Sequence, residues 1–162
     1  MVGNLPALVH PQELTDRLQN PARLTTETSN ATLKGRWANG PCYTVKIVGI
    51  TAYIGNGGYL EIVDISNPAT PVGLSKTLLP GIIQDVFIAG SYAYVAAGEA
   101  GLRIVNISNP NNPVETGFYD TANNAYGLSV VNNFAYIADG GDGLRIINIS
   151  DPANPTEAGF FD

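Results

Sequence analysis

From Thr44 onward, apolar residues come in short runs bounded by Gly, Asn, Ser and Pro, and the same runs return three times. Leu102-Arg103-Ile104-Val105-Asn106-Ile107-Ser108-Asn109-Pro110 reappears as Leu144-Arg145-Ile146-Ile147-Asn148-Ile149-Ser150-Asp151-Pro152. Upstream the counterpart is Leu60-Glu61-Ile62-Val63-Asp64-Ile65-Ser66-Asn67-Pro68. The leucines at 60, 102 and 144 set a period of 42 residues, and self-similarity at that spacing marks a repeat architecture. Each period reads as four strands. In the second, Asp85 to Ala89 meets a two-residue Gly90-Ser91 turn and returns as Tyr92 to Ala96. Gly98 to Gly101 leads into Leu102 to Ile107. Two prolines then break the ladder, since proline lacks the donor and restrains the residue before it. Val114 to Tyr119 is the fourth strand. The third period gives Gly127 to Val131, Phe134 to Ala138, Leu144 to Ile149 and Thr156 to Phe161. The first gives Thr44 to Val48, Thr51 to Ile54, Tyr59 to Ile65 and Val72 to Thr77.

These strands carry large apolar groups on both faces, as in Leu102-Arg103-Ile104-Val105, so each sheet needs cover above and below. No segment between repeats is long enough to supply covering helices. Stacking four-stranded units face to face solves the problem. The pattern therefore predicts an all-β chain, a β-propeller of four-stranded antiparallel blades. Three blades are expected, at about 43–78, 84–119 and 125–161, with the first strand of each nearest the axis. A leading strand at 31–37, including Leu33 to Trp37, stands in the register of a fourth strand. Residues 1–30 read as a polar leader, irregular or with a short helix over Pro11 to Leu18 that needs docking to persist.

The third-strand text at Leu60 to Pro68 and its two copies resembles the LVIVD repeat of bacterial and archaeal surface propellers. The tyrosine strand Tyr92-Ala93-Tyr94-Val95-Ala96 and the closing Gly117-Phe118-Tyr119-Asp120 resemble the same pattern. The resemblance runs over roughly 31 to 162. It implies a propeller and an extracellular or cell-surface location, and it brings no shared activity or catalytic residues. The chain departs from the family in having few repeats. Its start, Met1-Val2-Gly3-Asn4-Leu5-Pro6, also lacks the charged and apolar regions of a signal peptide. The expectation is a protein that stays inside the cell, or a chain without its natural N-terminus.

Composition narrows the function. The net charge is −6, and from Cys42 on only four cationic side chains stand against eleven Asp and Glu. Nucleic acid needs a clustered basic surface, and docking on anionic lipid needs the same sign, so neither partner is expected. No stretch is long and apolar enough for membrane insertion as a helix. With a single cysteine, Cys42, no intrachain disulfide can form. Cys42 reads as a small buried apolar side chain. His10, the only histidine, lies outside the repeats, so no Ser-His or Cys-His system is legible. No Gly-rich phosphate loop precedes a helix.

Asp139-Gly140-Gly141-Asp142-Gly143 is the most suggestive acidic loop, with oxygens that suit calcium. The matching loops at 97–101 and 55–58 lack those ligands, so a solvated turn is the reading and no cofactor is expected. Asp64, Asn106 and Asn148 share one register, where short side chains bond nearby backbone and end strands. Asn106 and Asn148 also begin glycosylation sequons, discounted because they fall in strands. Glu61, Arg103 and Arg145 share another register and are expected to pair across adjacent blades or face solvent.

The leading reading is a non-catalytic scaffold or binding module of a surface or secreted protein, presenting loops to a protein or glycan. The alternative is part of a propeller hydrolase working with carboxylates and a bound cation. That reading needs acids from several blades, whereas Asp85 stands where its neighbours have Thr44 and Gly127. The expected binding face carries the loops from strand two to three and from blade to blade, with Tyr43, Tyr59, Ile82, Glu99, Tyr126, Asp139 and Asp142. The Ser-(Asn/Asp)-Pro turns at the other end read as scaffold. Three blades cannot close a ring, so further repeats or a second chain are expected to complete it.

Overall fold

The computed structural model describes residues 41–162, which lie in one compact unit. The leader, its short helix and the leading strand at 31–37 lie outside the described residues. Twelve strands form three separate four-stranded antiparallel sheets, each made from consecutive strands. The first holds β1 (Cys42–Val48), β2 (Thr51–Asn56), β3 (Tyr59–Asp64) and β4 (Val72–Leu78). The second holds β5 (Asp85–Ala89), β6 (Tyr92–Ala96), β7 (Leu102–Asn106) and β8 (Val114–Tyr119). The third holds β9 (Gly127–Val131), β10 (Phe134–Ala138), β11 (Leu144–Asn148) and β12 (Thr156–Phe161). Pairing of the named strands stays within units, with one isolated bridge from Gly98 to Ala125, and the only helical turn among the described residues is a 3-10 turn at Gly140–Asp142. The sheets do not close into a ring.

Local chemistry explains the repetition. The turn between the first two strands of each blade starts with a positive-φ residue: Gly49, Gly90 and Asn132, at φ 59°, 56° and 54°. A positive φ there suits the right-handed twist of a tight hairpin, and Asn is the residue besides Gly that tolerates it best. The third and fourth strands slip register at the same repeat position, between Ile62 and Val63, Ile104 and Val105, and Ile146 and Ile147. That bulge strengthens the twist of each outer strand. The motif ending strand three is a pair of side-chain caps. The amides of Ser66, Ser108 and Ser150 donate to Oδ1 of Asp64, Asn106 and Asn148 at 2.8–2.9 Å. Those of Ala69, Asn111 and Ala153 donate to Oδ1 of Asn67, Asn109 and Asp151 at 3.0–3.1 Å. The bond from Ser66 holds the Asp64 carboxyl below its usual range.

The blades stack with the same two faces in contact each time. Tyr53, Leu60 and Ile62 of the first blade pack on Val86, Ala93, Val95 and Val105 of the second, with Leu79 and Ile83 of the connection. One period on, Tyr94, Leu102 and Ile104 pack on Ala135, Ile137 and Ile147 of the third. A bulky face thus seats on a small, branched one, and burying each such aliphatic contributes about 1.5–3 kcal/mol. Smaller contacts repeat as well. Ser75 Oγ donates to Pro110 O at 2.7 Å, joining blade one to the turn of blade two. At the matching Gly117, a β-carbon would run into the carbonyl of Pro152 in blade three. The uniform turns are therefore part of the blade-to-blade joint. The first strands lie innermost, β1 against β5 and β5 against β9. On the far face of the first blade, Ala52, Ile54 and Val63 are also buried.

Candidate functional site

All loops between second and third strands, and both blade-to-blade connections, emerge at one end of the stack. Backbone bonds wire them together. The amides of Leu79 and Ile83 donate to Gly58 O and Gly57 O at 2.8 Å, pinning the first connection to the loop of blade one. Gln84 N donates to Ala96 O at 2.8 Å, which ties it to blade two. Gly98 and Ala125 then exchange bonds both ways, at 3.2 and 3.0 Å, and Tyr126 N donates to Ala138 O at 2.9 Å. Each loop thus rests on the next.

Where the first connection, the 97–101 loop and the second connection meet, a cleft of about 210 Å³ opens between Gly81, Ile82, Gln84, Gly98, Glu99 and Asn124. The cleft brings together Ile82 and Glu99 of the expected face. Tyr43, Tyr59 and Tyr126 are exposed on the same end at 53%, 38% and 56% but do not line it. Lys76 Nζ sits 4.2 Å from the Tyr59 ring centroid. Gln84 and Asn124 join Ile82 and Glu99 there from the two blade-to-blade connections of the expected face. Their signal is comparison across the period: Gly81 and Gln84 stand where the next unit has Asn123 and Tyr126.

Asp139 is not a solvated loop residue. It is wholly buried, and its Oδ2 accepts a 3.3 Å bond from Asn123 N and lies 3.6 Å from Arg145 Nε. Arg145 also reaches Asp142 at 3.9 Å and Glu157 at 3.6 Å, and covers the Phe160 ring at 5.0 Å. Asp139 serves this guanidinium from beneath the surface and is no contact residue, while Asp142 reaches it from a partly exposed position. Among the described residues no three His, Cys, Asp or Glu side chains converge as a metal site.

The expectation that Glu61, Arg103 and Arg145 pair across blades or face solvent is also corrected. Each has an ion-pair partner within its own blade, and each is largely or wholly buried. Glu61 meets Lys76 at 2.8 Å and Asn56 Nδ2 at 3.1 Å. Arg103 meets Asp120 at 2.6 Å, Glu115 at 3.5 Å and Ala100 O at 3.0 Å. The fourth strand and the loop beside it supply the counter-ions, which is why charge survives in this inward register. One bond does cross blades here: Tyr119 Oη donates to Glu157 at 3.1 Å. Burial first, then that carboxylate, push the Tyr119 phenol up.

Cys42 is exposed, against expectation, with Sγ 3.4 Å from Thr44 O. Ile83 and Ala125, its counterparts, are buried because each passes under a loop of the preceding blade. Cys42 instead opens the first blade at the bulged end of β1.

Asp85 is the axial feature that sequence reading undervalued. Its Oδ1 accepts from Thr44 Oγ1 at 3.2 Å and from its neighbour Val86 N at 2.9 Å, and lies 3.4 Å from Lys46 Nζ. Its Oδ2 accepts from Leu128 N at 3.2 Å. One carboxylate therefore clips all three innermost strands. Asp85→Ala removes the acceptor of a bond to each neighbouring blade and is expected to cost about 1–2 kcal/mol in urea melts. A change below half that would remove its role as a clip.

The fold is a stack of propeller blades. Two designed proteins of solved structure share it: the computationally designed Ika4 protein and the computationally designed Ika8 protein. Ika4 gives a TM-score of 0.63 at 10% identity, covering 85% of this chain and 81% of its own. Ika8 gives 0.61 at 10% identity, covering 74% of this chain and 36% of its own. A search of curated proteins gives no match. The family model of the LVIVD repeat matches residues 40–76, 80–121 and 122–162, unit for unit with the blades. The chain belongs to the LVIVD repeat family.

Proposed function

We propose that this chain is a non-catalytic propeller module of a surface or secreted protein, presenting its loop face to a protein or glycan. One observation carries the reading. The loop end combines a cleft with four exposed side chains: Ile82 and Tyr126 on connections fixed to their neighbours by backbone bonds, and Tyr43 and Tyr59 at the adjoining ends of β1 and β3. Rigid aromatic and aliphatic groups on a preorganised surface are what binding faces use. The turns at the opposite end are committed to capping strands and joining blades. Among the innermost strands Asp85 is the sole carboxylate, and its oxygens are engaged by three strands, which supports a structural role over a hydrolytic one. Further blades, in the same protein or a second chain, would complete the ring around the axis.

Arrays of glycans and of surface-protein ectodomains, probed with the labelled chain, test this. Alanine at Tyr43, Tyr59, Ile82 and Tyr126 together is expected to weaken any captured partner at least about tenfold, as hot-spot losses do. Alanine at Asn67 and Asn109 should leave it bound. The reverse pattern would place the binding surface at the turns and overturn the assignment.

A further inference from the structure

The cleft lies at the first junction, and the two junctions differ in sequence at two residues that bear on it. One period on, Tyr126 replaces Gln84 and Asn123 replaces Gly81. There, Tyr126 Cε2 and Asn123 Oδ1 lie 3.3 and 3.1 Å from where a β-carbon on Gly140 would sit, so these two side chains flank the loop glycine. At the first junction Gly81 has φ 79°, and a β-carbon on it would collide with the Ala97 carbonyl. Gly98 itself is buried, with the Ile82 carbonyl 3.3 Å from where its β-carbon would sit, and the cleft opens beside it.

Into that space project three polar side chains with no hydrogen-bond partner among the described residues: Gln84, Glu99 and Asn124. Their backbones are held firmly. Gln84 is fixed through Ala96 O, and Glu99 and Asn124 flank the two-way Gly98–Ala125 bridge. Asn124 is held further, since its amide donates to Asn123 Oδ1 at 2.8 Å while Asn123 N rests on buried Asp139. Two carboxamides and one carboxylate offer both donors and acceptors, a mixture that suits adjacent hydroxyls, each of which donates and accepts. A cationic ligand would leave the amide donors idle. No Lys or Arg lines the cleft, which disfavours carboxylated or phosphorylated ligands. Ile82, half exposed, adds an apolar wall for ring C–H groups. The volume is below the roughly 300 Å³ where drug-sized pockets begin, so one small ring is the scale.

We infer that the cleft formed by Ile82, Gln84, Glu99 and Asn124 is a subsite for one neutral sugar residue. This rests on the loop face being the binding face and names its ligand chemistry.

The test is titration of the isotope-labelled chain, read by amide chemical shifts. The probes are neutral methyl glycosides of glucose, galactose, mannose and N-acetylglucosamine, with glucuronate and arginine methyl ester for comparison. At least one neutral glycoside should shift Gly98, Glu99 and Asn124, with a Kd on the order of 1 mM. Gln84→Ala, Asn124→Ala and Glu99→Gln should each weaken it at least about fivefold, while Asn67→Ala, at the opposite end of the stack, should not. The cleft side chains bond nothing in the described chain, so their variants keep the fold, and unshifted resonances elsewhere verify it. Two results would overturn the inference: no cleft shifts with any neutral glycoside, or tighter binding of the arginine ester lost only in Glu99→Gln. If a protein partner still depends on Tyr43, Tyr59, Ile82 and Tyr126 in either case, the loop-face reading stands and only the sugar assignment falls.

Discussion

Gly117→Val is expected to cost the chain about 2–3 kcal/mol, and the same change at Gly159 almost nothing. The two glycines occupy one position of the repeat, in β8 and β12. At Gly117 the next blade comes so close that a β-carbon would overlap the carbonyl of Pro152, and backbone must move to admit it. At Gly159 a β-carbon would meet nothing within 4 Å. A valine there even gains strand propensity, worth up to about 1 kcal/mol. Thermal melts should separate the variants by on the order of 5–10 °C. Equal effects would mean that the far face of the third blade is covered as the second is.

Arg145→Met should destabilise by about 3 kcal/mol, more than the loss of an exposed ion pair would suggest. Asp139 is wholly buried, and its Oδ1 has no hydrogen-bond partner. Without the guanidinium, its carboxylate keeps one long bond from Asn123, and a buried charge left without its partner costs about 3–5 kcal/mol. The lower end applies because Arg145 retains 15% side-chain exposure and the pair is 3.6 Å apart. Combining Arg145→Met with Asp139→Ala should recover most of the loss, since blade two carries Ala97 at that position. A double variant no better than Arg145→Met alone would contradict this account, as would a single variant losing under about 1 kcal/mol.

The blades were legible because their text repeats. The leucine spacing, the paired prolines and the Gly or Asn turns each have a local cause that one sequence displays. Side-chain caps at Asp64, Asn106 and Asn148 were legible for the same reason. What escaped reading depends on neighbours far along the chain. Asp139 looks like a loop acid until Arg145 and the Asn123 amide arrive from other elements. Glu61, Arg103 and Arg145 lie in an inward register, and their burial follows from counter-ions on the fourth strand and adjoining loop. Asp85 is a single departure from a repeat, so it resembled noise, yet it meets both neighbouring blades. The cleft was half visible: Ile82 and Glu99 were read as surface, while Gln84 and Asn124 join them only through the Gly98–Ala125 bridge.

The described residues form an open three-blade stack, with one face of the third blade bare. Tyr94 and Tyr136 test it directly, since they share a repeat position and differ in what lies over them. Tyr94 is 5% exposed beneath the third blade, and burial raises its phenol pKa. Tyr136 is half-buried on the uncovered face, near Phe134 at 36% and Phe161 at 74% exposure. Hydroxyl-radical footprinting of the monomeric fraction, read by mass spectrometry, should label Tyr136, Phe134 and Phe161 readily and leave Tyr94 protected. Equal protection of Tyr94 and Tyr136 would contradict the open stack.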